Sequence, residues 1–302
     1  MIGMNMKQLI SKDVITSFRY TVITLIVATF LSCEKAIDPE YRYSENNVTL
    51  HFSMTNADAK TRALSTNYFS KLNIMLFDED GERVFDKVKT QTSDDDDWGT
   101  LSLKLTAGTY TVVAVGHSSH NSATIKSPEV VQFTASDGEK LTDTFCHCSQ
   151  IAVSGDAQQY DLDMYRAVAM IQFCLKDTEF PANFSHFLME YTGGSANFNP
   201  TTLEGITKSS QSEKRTTNGI QIYQAFTFPY MAASCNIKMT CSGLDNDGTV
   251  IRRRVFDAVP VTRNRITTYI GPFFEEGDGV FTQSDFSFLI HADWDGEDSY
   301  EF

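Results

Sequence analysis

"GTLSLKLTAGTYTVVAVG", residues 99 to 116, alternates apolar and polar side chains on either side of one turn. Leu101, Leu103 and Leu105 share a face, with Ser102 and Lys104 opposite; the chain turns at Thr106-Ala107-Gly108, and Tyr110, Val112 and Ala114 resume the pattern. Successive side chains of an extended backbone point to opposite faces, so a period of two marks a half-buried strand. Two such runs around a short glycine turn predict a β-hairpin.

The same pattern extends in both directions. "NVTLHFSM" (47–54) alternates through Val48, Leu50 and Phe52, and "KLNIMLFDEDGERVFDKV" (71–88) reads as two strands around an Asp-Gly turn at 78–81. Segments between 128 and 154 are weaker strands, and the polar stretch "SGDAQQYD" (154–161) marks a boundary. Beyond it, "RAVAMIQFCLKD" (166–177) buries Ala167, Ala169, Ile171, Phe173 and Leu175. Further strands follow in 219–232, 235–261, 263–274 and 285–294, separated by Gly, Asn and Asp turns. Many short strands at regular spacing predict sandwiches. The expected architecture is all-β, with one sandwich over 47–157 and a second over 158–302.

Apolar residues make up 41% of the 302 and aromatics 12%, with 22 Phe, so a sizeable core forms. The formal charge is −14. An acidic chain without a basic stripe is not drawn to nucleic acid or to anionic lipid head groups. The run Arg252-Arg253-Arg254 alternates faces within a strand and reads as a solvated edge.

At the N-terminal end, Lys7, Lys12 and Arg19 precede an uncharged run from Tyr20 to Leu31, and "ATFLSCEKA" (28–36) then turns polar at Cys33. A basic start, about a dozen apolar residues and a small residue describe a signal peptide, too short to span a bilayer. Ser32 before Cys33 resembles the lipobox of bacterial lipoproteins, with Phe30 where Leu is usual. That resemblance implies a signal over 1–32, cleavage before Cys33, a lipid on its thiol, and a tether over 33–46.

Chemistry-bearing motifs are sparse. Three Asp-x-Asp-Gly stretches (78–81, 245–248, 293–296) lack the flanking acids of a calcium loop and read as turns. "CHC" (146–148) and "HSSH" (117–120) have no second ligand pair of zinc-site spacing. No Gly-x-Ser-x-Gly elbow or phosphate loop is present, so no enzyme, cofactor or metal site is expected. Cys146, Cys148, Cys174, Cys235 and Cys241 are odd in number and form no disulfide framework. Cys235 and Cys241 share the apolar face of one strand with Ile237 and Met239, too far apart along it to pair.

"DLDMYRAVAMIQF" (161–173) and "VPVTRNRITTYIGPFF" (259–274), followed by a strand ending "HADW", together with the lipobox, resemble the fimbrium-anchoring and tip subunits of Bacteroidales, the FimB type of fimbrillin-like lipoprotein. Arg166, Arg263, Asn264 and Thr267 carry the motif. The resemblance implies two tandem transthyretin-like β-sandwiches after a lipoprotein signal peptide, at the outer membrane, with other pilins as partners. Shaft subunits of that family are trimmed after an Arg, for which Arg42 and Arg62 are the candidates here, and polymerise by strand exchange; anchors keep the lipid. Phe286, Phe288, Ile290 and Trp294, on one face of 281–294, are the candidate strand-exchange residues. Tip or shaft placement, and a surface glycan-binding lipoprotein, are the competing readings.

Overall fold

Alternation becomes strand almost wherever it occurs. The computed structural model describes residues 46–54, 68–134, 140–217, 219, 221–275, 294 and 297–301. Residues 46–302 fall in one compact unit. Every regular element among the described residues is a strand. The first half holds β1 (Val48–Met54), β2 (Lys71–Phe77), β3 (Lys89–Thr92), β4 (Thr100–Leu103), β5 (Gly108–His117), β6 (Thr124–Ser127), β7 (Val130–Gln132), β8 (Phe145–Val153) and β9 (Gln158–Arg166). The second holds β10 (Ala169–Leu175), β11 (His186–Ser195), β12 (Asn197–Asn199), β13 (Glu204–Gly205), β14 (Lys208–Thr216), β15 (Ile222–Thr227), β16 (Ser234–Leu244), β17 (Val250–Thr262), β18 (Ile266–Gly271) and β19 (Glu297–Glu301).

The N-terminal sandwich is one curled sheet in the order β3-β2-β5-β8-β9-β1-β4. Pairing between β8 and β9 is confined to Phe145↔Arg166 and Cys146↔Tyr165, and the sheet folds over at that seam. Between the two halves lie Val48, Leu50 and Phe52 of β1, Leu72, Ile74 and Leu76 of β2, Tyr110, Val112 and Ala114 of β5, and Leu162 and Met164 of β9. Leu103 and Leu105 join them, while Ser102 and Lys104 are exposed. The hairpin expected over 71–88 forms only in part. Asp78 Oδ1 accepts from the N–H groups of Asp80 and Glu82, closing the turn, but β2 finds its ladder partner at β3. Val84 and Phe85 pack against the core instead of extending a strand.

The C-terminal sandwich packs sheet β15-β10-β18-β19 on sheet β14-β11-β16-β17. Its core is aromatic: Phe173, Phe187, Tyr223, Tyr269 and Phe273 are buried together. Burying each such ring contributes about 1.5–3 kcal/mol. Cys235, Ile237, Met239 and Cys241 all face this core, and all five described cysteines are free thiols.

The chain crosses between sandwiches after Arg166, later than the boundary expected at 157. β9 pairs with β1 in parallel from Val48↔Gln158 to Met54↔Met164 and so belongs to the first sandwich. The polar stretch is half connection, 154–157, and half the start of β9; polar residues do not distinguish a passage within one sandwich from a linker between two. A fourth sheet, in the order β13-β12-β7-β6, takes two strands from each half of the chain. It is joined by Asn197↔Gln132 and Phe198↔Val131. Around it a third cluster packs Val113, Val115, Ile125 and Val131 against Val168, Met170, Phe198 and Phe228. This accounts for β5 and β10 being buried on both faces, where one buried face was expected.

Residues 1–45, with the signal, Cys33 and Arg42, lie outside the described residues, as do Arg62, Phe286, Phe288 and Ile290.

Candidate functional site

Arg166 is the last residue of β9, 5% exposed where the two sandwiches meet. Its Nε and Nη2 donate to Asp143 Oδ1 and Oδ2 at 2.7 and 2.8 Å, a two-pronged pair that matches the guanidinium fork to the carboxylate. Nη1 donates to Asn264 Oδ1 at 3.0 Å. The guanidinium carbon lies 4.5 Å from the Phe145 ring centroid and 4.0 Å from that of Trp294, close enough for cation–π attraction to both. Burying this charge is tolerable because donors and faces are both partnered.

Local structure sets each partner. Thr144 and Ala167 pair through the backbone at 2.8 Å, fixing the segment that carries Asp143. Asn264 adopts φ +58° in the turn between β17 and β18, a left-handed conformation that Asn tolerates better than most residues. Its N–H donates to Val168 O at 2.9 Å. Arg263, beside it, donates from Nη1 to Thr202 O at 2.6 Å, and Thr267 Oγ1 donates to Pro260 O at 2.7 Å. Of the motif residues, Arg166 and Asn264 therefore touch; Arg263 and Thr267 brace neighbouring backbone. Trp294 packs on Arg166 of its own chain.

A cavity of about 370 Å³ opens here, lined by Tyr68, Asp143, Arg166, Met170, Gln224, Phe226 and Trp294. These lining residues include no Ser, Cys or His, and the one carboxylate is held by the guanidinium. The arrangement is suited to holding elements together. Asp143 and Phe145 escaped sequence reading, since nothing in "LTDTFCHC" marks them; the only signal was that a buried Arg needs a carboxylate somewhere.

The Cys/His clusters resolve into hydrogen-bonding roles. His117 is fully buried; its Nδ1 accepts from Ser119 N–H at 3.1 Å, which leaves Nε2–H to donate to Asn73 Oδ1 at 2.7 Å. Asn73 Oδ1 also accepts from Ala123 N–H at 2.8 Å, and Asn73 Nδ2 donates to Thr90 Oγ1 at 2.8 Å. Burial, aided by the Lys71 ammonium, holds the imidazole pKa down at about 3. His147 is flanked by Asp163 O and Ser149 Oγ, each at 2.7 Å. Burial lowers its pKa despite the neighbouring Asp163 carbonyl, and burial raises the Cys146 and Cys148 thiols. Among the described residues no three His, Cys, Asp or Glu converge as a metal site.

Two of the Asp-x-Asp-Gly stretches are turns: Asp245 Oδ1 accepts from Asp247 and Thr249 as Asp78 does from Asp80 and Glu82. The stretch 293–296 falls mostly outside the described residues. Arg252 to Arg254 lie on β17, an edge strand. Arg254 turns back to donate to Phe273 O and Glu275 O, each at 3.0 Å.

Among solved structures, the chain is similar to a candidate adhesin from Bacteroides thetaiotaomicron, at 15% identity and TM-score 0.47, covering 70% of this chain and 80% of that one. It is similar also to the fimbrial anchor protein Mfa2 from Porphyromonas gingivalis, at 14% identity and TM-score 0.41, covering 70% and 82%. A third is a fimbrial assembly protein from Parabacteroides distasonis, at 15% identity and TM-score 0.40, covering 74% and 89%. Comparison with curated proteins finds no match. The family model of the fimbrillin-A associated anchor proteins Mfa1 and Mfa2 matches residues 39–249, from ahead of β1 through β16 and including Arg166. The chain belongs to the family of fimbrillin-A associated anchor proteins.

Proposed function

We propose that this protein is the lipid-anchored base of a fimbrium, held at the outer membrane through Cys33 and joined to pilin subunits through its C-terminal lobe. The observation that carries the reading is the anchor-family match over most of the chain. The lipobox-like "LSC" ahead of that match supports the membrane end. One acyl chain binds membranes only marginally, so stable anchoring calls for two or more on the processed cysteine.

Strand exchange is the joining chemistry that suits an all-β subunit. An open sheet edge presents unpaired backbone groups, and an extended partner segment satisfies them without any catalytic residue. β19 occupies such an edge beside β18, in parallel register from Ile266↔Glu297 to Ile270↔Glu301. Its ties are an Arg265–Asp298 pair at 3.0 Å and a Tyr269–Tyr300 ring stack, both partly open to solvent. The segment ahead of Trp294, with Phe286, Phe288 and Ile290, is the proposed donor, while Trp294 itself stays on Arg166 of its own chain.

Fractionation of Cys33→Ala tests the anchor: the variant is expected in the soluble fraction, unlabelled by palmitate, with fimbriae shed from the cells. Labelling or membrane retention of that variant rules the lipid assignment out. Crosslinks from a cysteine at Ser287 or Leu289 are expected to reach a pilin; crosslinks confined to the same chain move the attachment site elsewhere.

A further inference from the structure

β1 is gripped from both sides. It pairs antiparallel with β4 from Val48↔Leu103 to His51↔Thr100, and in parallel with β9 from Val48↔Gln158 to Met54↔Met164. Its inward side chains Val48, Leu50 and Phe52 are 0–2% exposed. β9 ends at Arg166, and the chain then passes straight into the second sandwich, where Arg166 is fastened to Asn264 and Trp294.

The segment before β1 and the second sandwich are thus attached at opposite ends of two parallel neighbours. A pull between them runs along the strand axis. All the ladder bonds on both sides of β1 then share the tension, whereas strands pulled apart from one common end part bond by bond. Sliding is also blocked: a slip of one residue turns Val48, Leu50 and Phe52 to the wrong face, and a slip of two drags their buried side chains across occupied sites.

Asn47 pins the spot where the pull arrives. It is 6% exposed; its Nδ2 donates to Leu105 O at 2.9 Å and to Gly155 O at 3.3 Å, and its Oδ1 accepts from Leu105 N–H at 2.9 Å. One side chain ties the head of β1 to the chain leaving β4 and to the turn between β8 and β9. At the far end Ser53 Oγ donates to Asp163 Oδ1 at 2.9 Å, again across β1 and β9. The second sandwich repeats the geometry, with β10, β18 and β19 mutually parallel.

We infer that β1 and β9 form a tension clamp, pinned by Asn47, that keeps the first sandwich folded when the fibre is pulled against its tether. The inference rests on the anchor reading for its purpose. Its test is single-molecule pulling on the full chain in two geometries. In one, handles sit ahead of Asn46 and after Phe302. In the other, the second handle is inserted at Gly155, an open turn at φ +98° with nothing within 4 Å of an added Cβ. The inserted chain is used once its thermal unfolding matches that of the end-tethered chain.

Forced unfolding reports the barrier rather than the equilibrium, so the step releasing β1 is expected at a force at least about twofold higher in the end-to-end geometry. Asn47→Ala is expected to lower the end-to-end force by a clearly larger factor than the Gly155 force, in which the single Asn47–Gly155 bond parts at the start of the peel. Equal forces in the two geometries, or equal losses on Asn47→Ala, overturn the clamp. Because these forces are read on the isolated chain, they stand apart from membrane fractionation. A soluble wild type with a strong clamp would defeat the anchor reading alone, and an anchored protein with equal forces would defeat the clamp alone.

Discussion

Arg166 and Asn264 lie 98 positions apart in sequence and 3.0 Å apart at their side chains, so one hydrogen bond joins the end of β9 to the turn before β18. Arg166→Ala leaves Asp143 without its counter-charge in a site 80% covered on the carboxylate's side chain; breaking a buried pair in this way costs about 3–5 kcal/mol. Arg166→Lys keeps the charge but loses the fork and the flat face, and is expected to recover less than half of that. Urea denaturation of the two variants decides it. A Lys variant as stable as wild type would mean that charge, not geometry, is what the junction uses.

His117 makes stability depend on pH in a defined window. Its imidazole is held at about 3 in the folded chain, against about 6.5 when unfolded. The unfolded chain therefore binds the extra proton first as pH falls. Stability from this group is complete above about pH 6.5 and is lost at about 1.4 kcal/mol per pH unit down to about pH 3. Chemical denaturation at pH 7 and pH 5 is expected to differ by about 2 kcal/mol more in wild type than in His117→Gln, which removes the titrating group. Parallel curves for the two proteins would show that His117 is not the acid-sensitive group.

Gly116 is required by a close approach. A Cβ there would lie 2.5 Å from Phe69 Cζ, and Phe69, 1% exposed, is itself packed against the rings of Trp98 and Phe145. Gly116→Ala is expected to cost about 1–3 kcal/mol by overpacking. Adding Phe69→Leu should return part of that loss, since it opens the space the methyl needs. Non-additivity in a double-mutant thermal melt is the measurement; simple addition of the two losses would place the strain elsewhere.

The register of the first sandwich is testable at adjacent positions. Leu103 is 9% exposed and faces the core, whereas Lys104 points to solvent. Leu103→Ala is expected to cost about 2–5 kcal/mol, and Lys104→Ala no more than about 0.5 kcal/mol. Comparable losses at both positions would contradict the register.

Alternation made the half-buried strands legible, as at Val48-Leu50-Phe52 and Ile237-Met239-Cys241. It was silent where a strand is covered on both faces: Val113 and Val115 of β5 are as buried as Val112 and Ala114. The pairing of β7 with β12 had no local sign, since Val130–Gln132 and Asn197–Asn199 are three residues each. Arg166 and Asn264 were legible only through a family pattern, which marks positions without saying what they touch. Asp143 was not legible at all, because a carboxylate in a turn has the same appearance whether it faces water or a buried Arg. His117 read as half of a metal-like "HSSH", whereas burial keeps it neutral and its hydrogen-bond partner Asn73 lies 44 positions away.

The sheet β13-β12-β7-β6 draws two strands from each side of the crossing at Ala167. Recombination between relatives at that crossing would therefore deliver half a sheet from each parent, and its two edges would have to match by chance. Either sandwich transplanted by itself would carry an orphan pair of strands and an uncovered apolar face. Such a chain is expected to be inherited as a single unit, with variation between lineages accumulating on the outer strands and turns while the stitched middle changes only in concert.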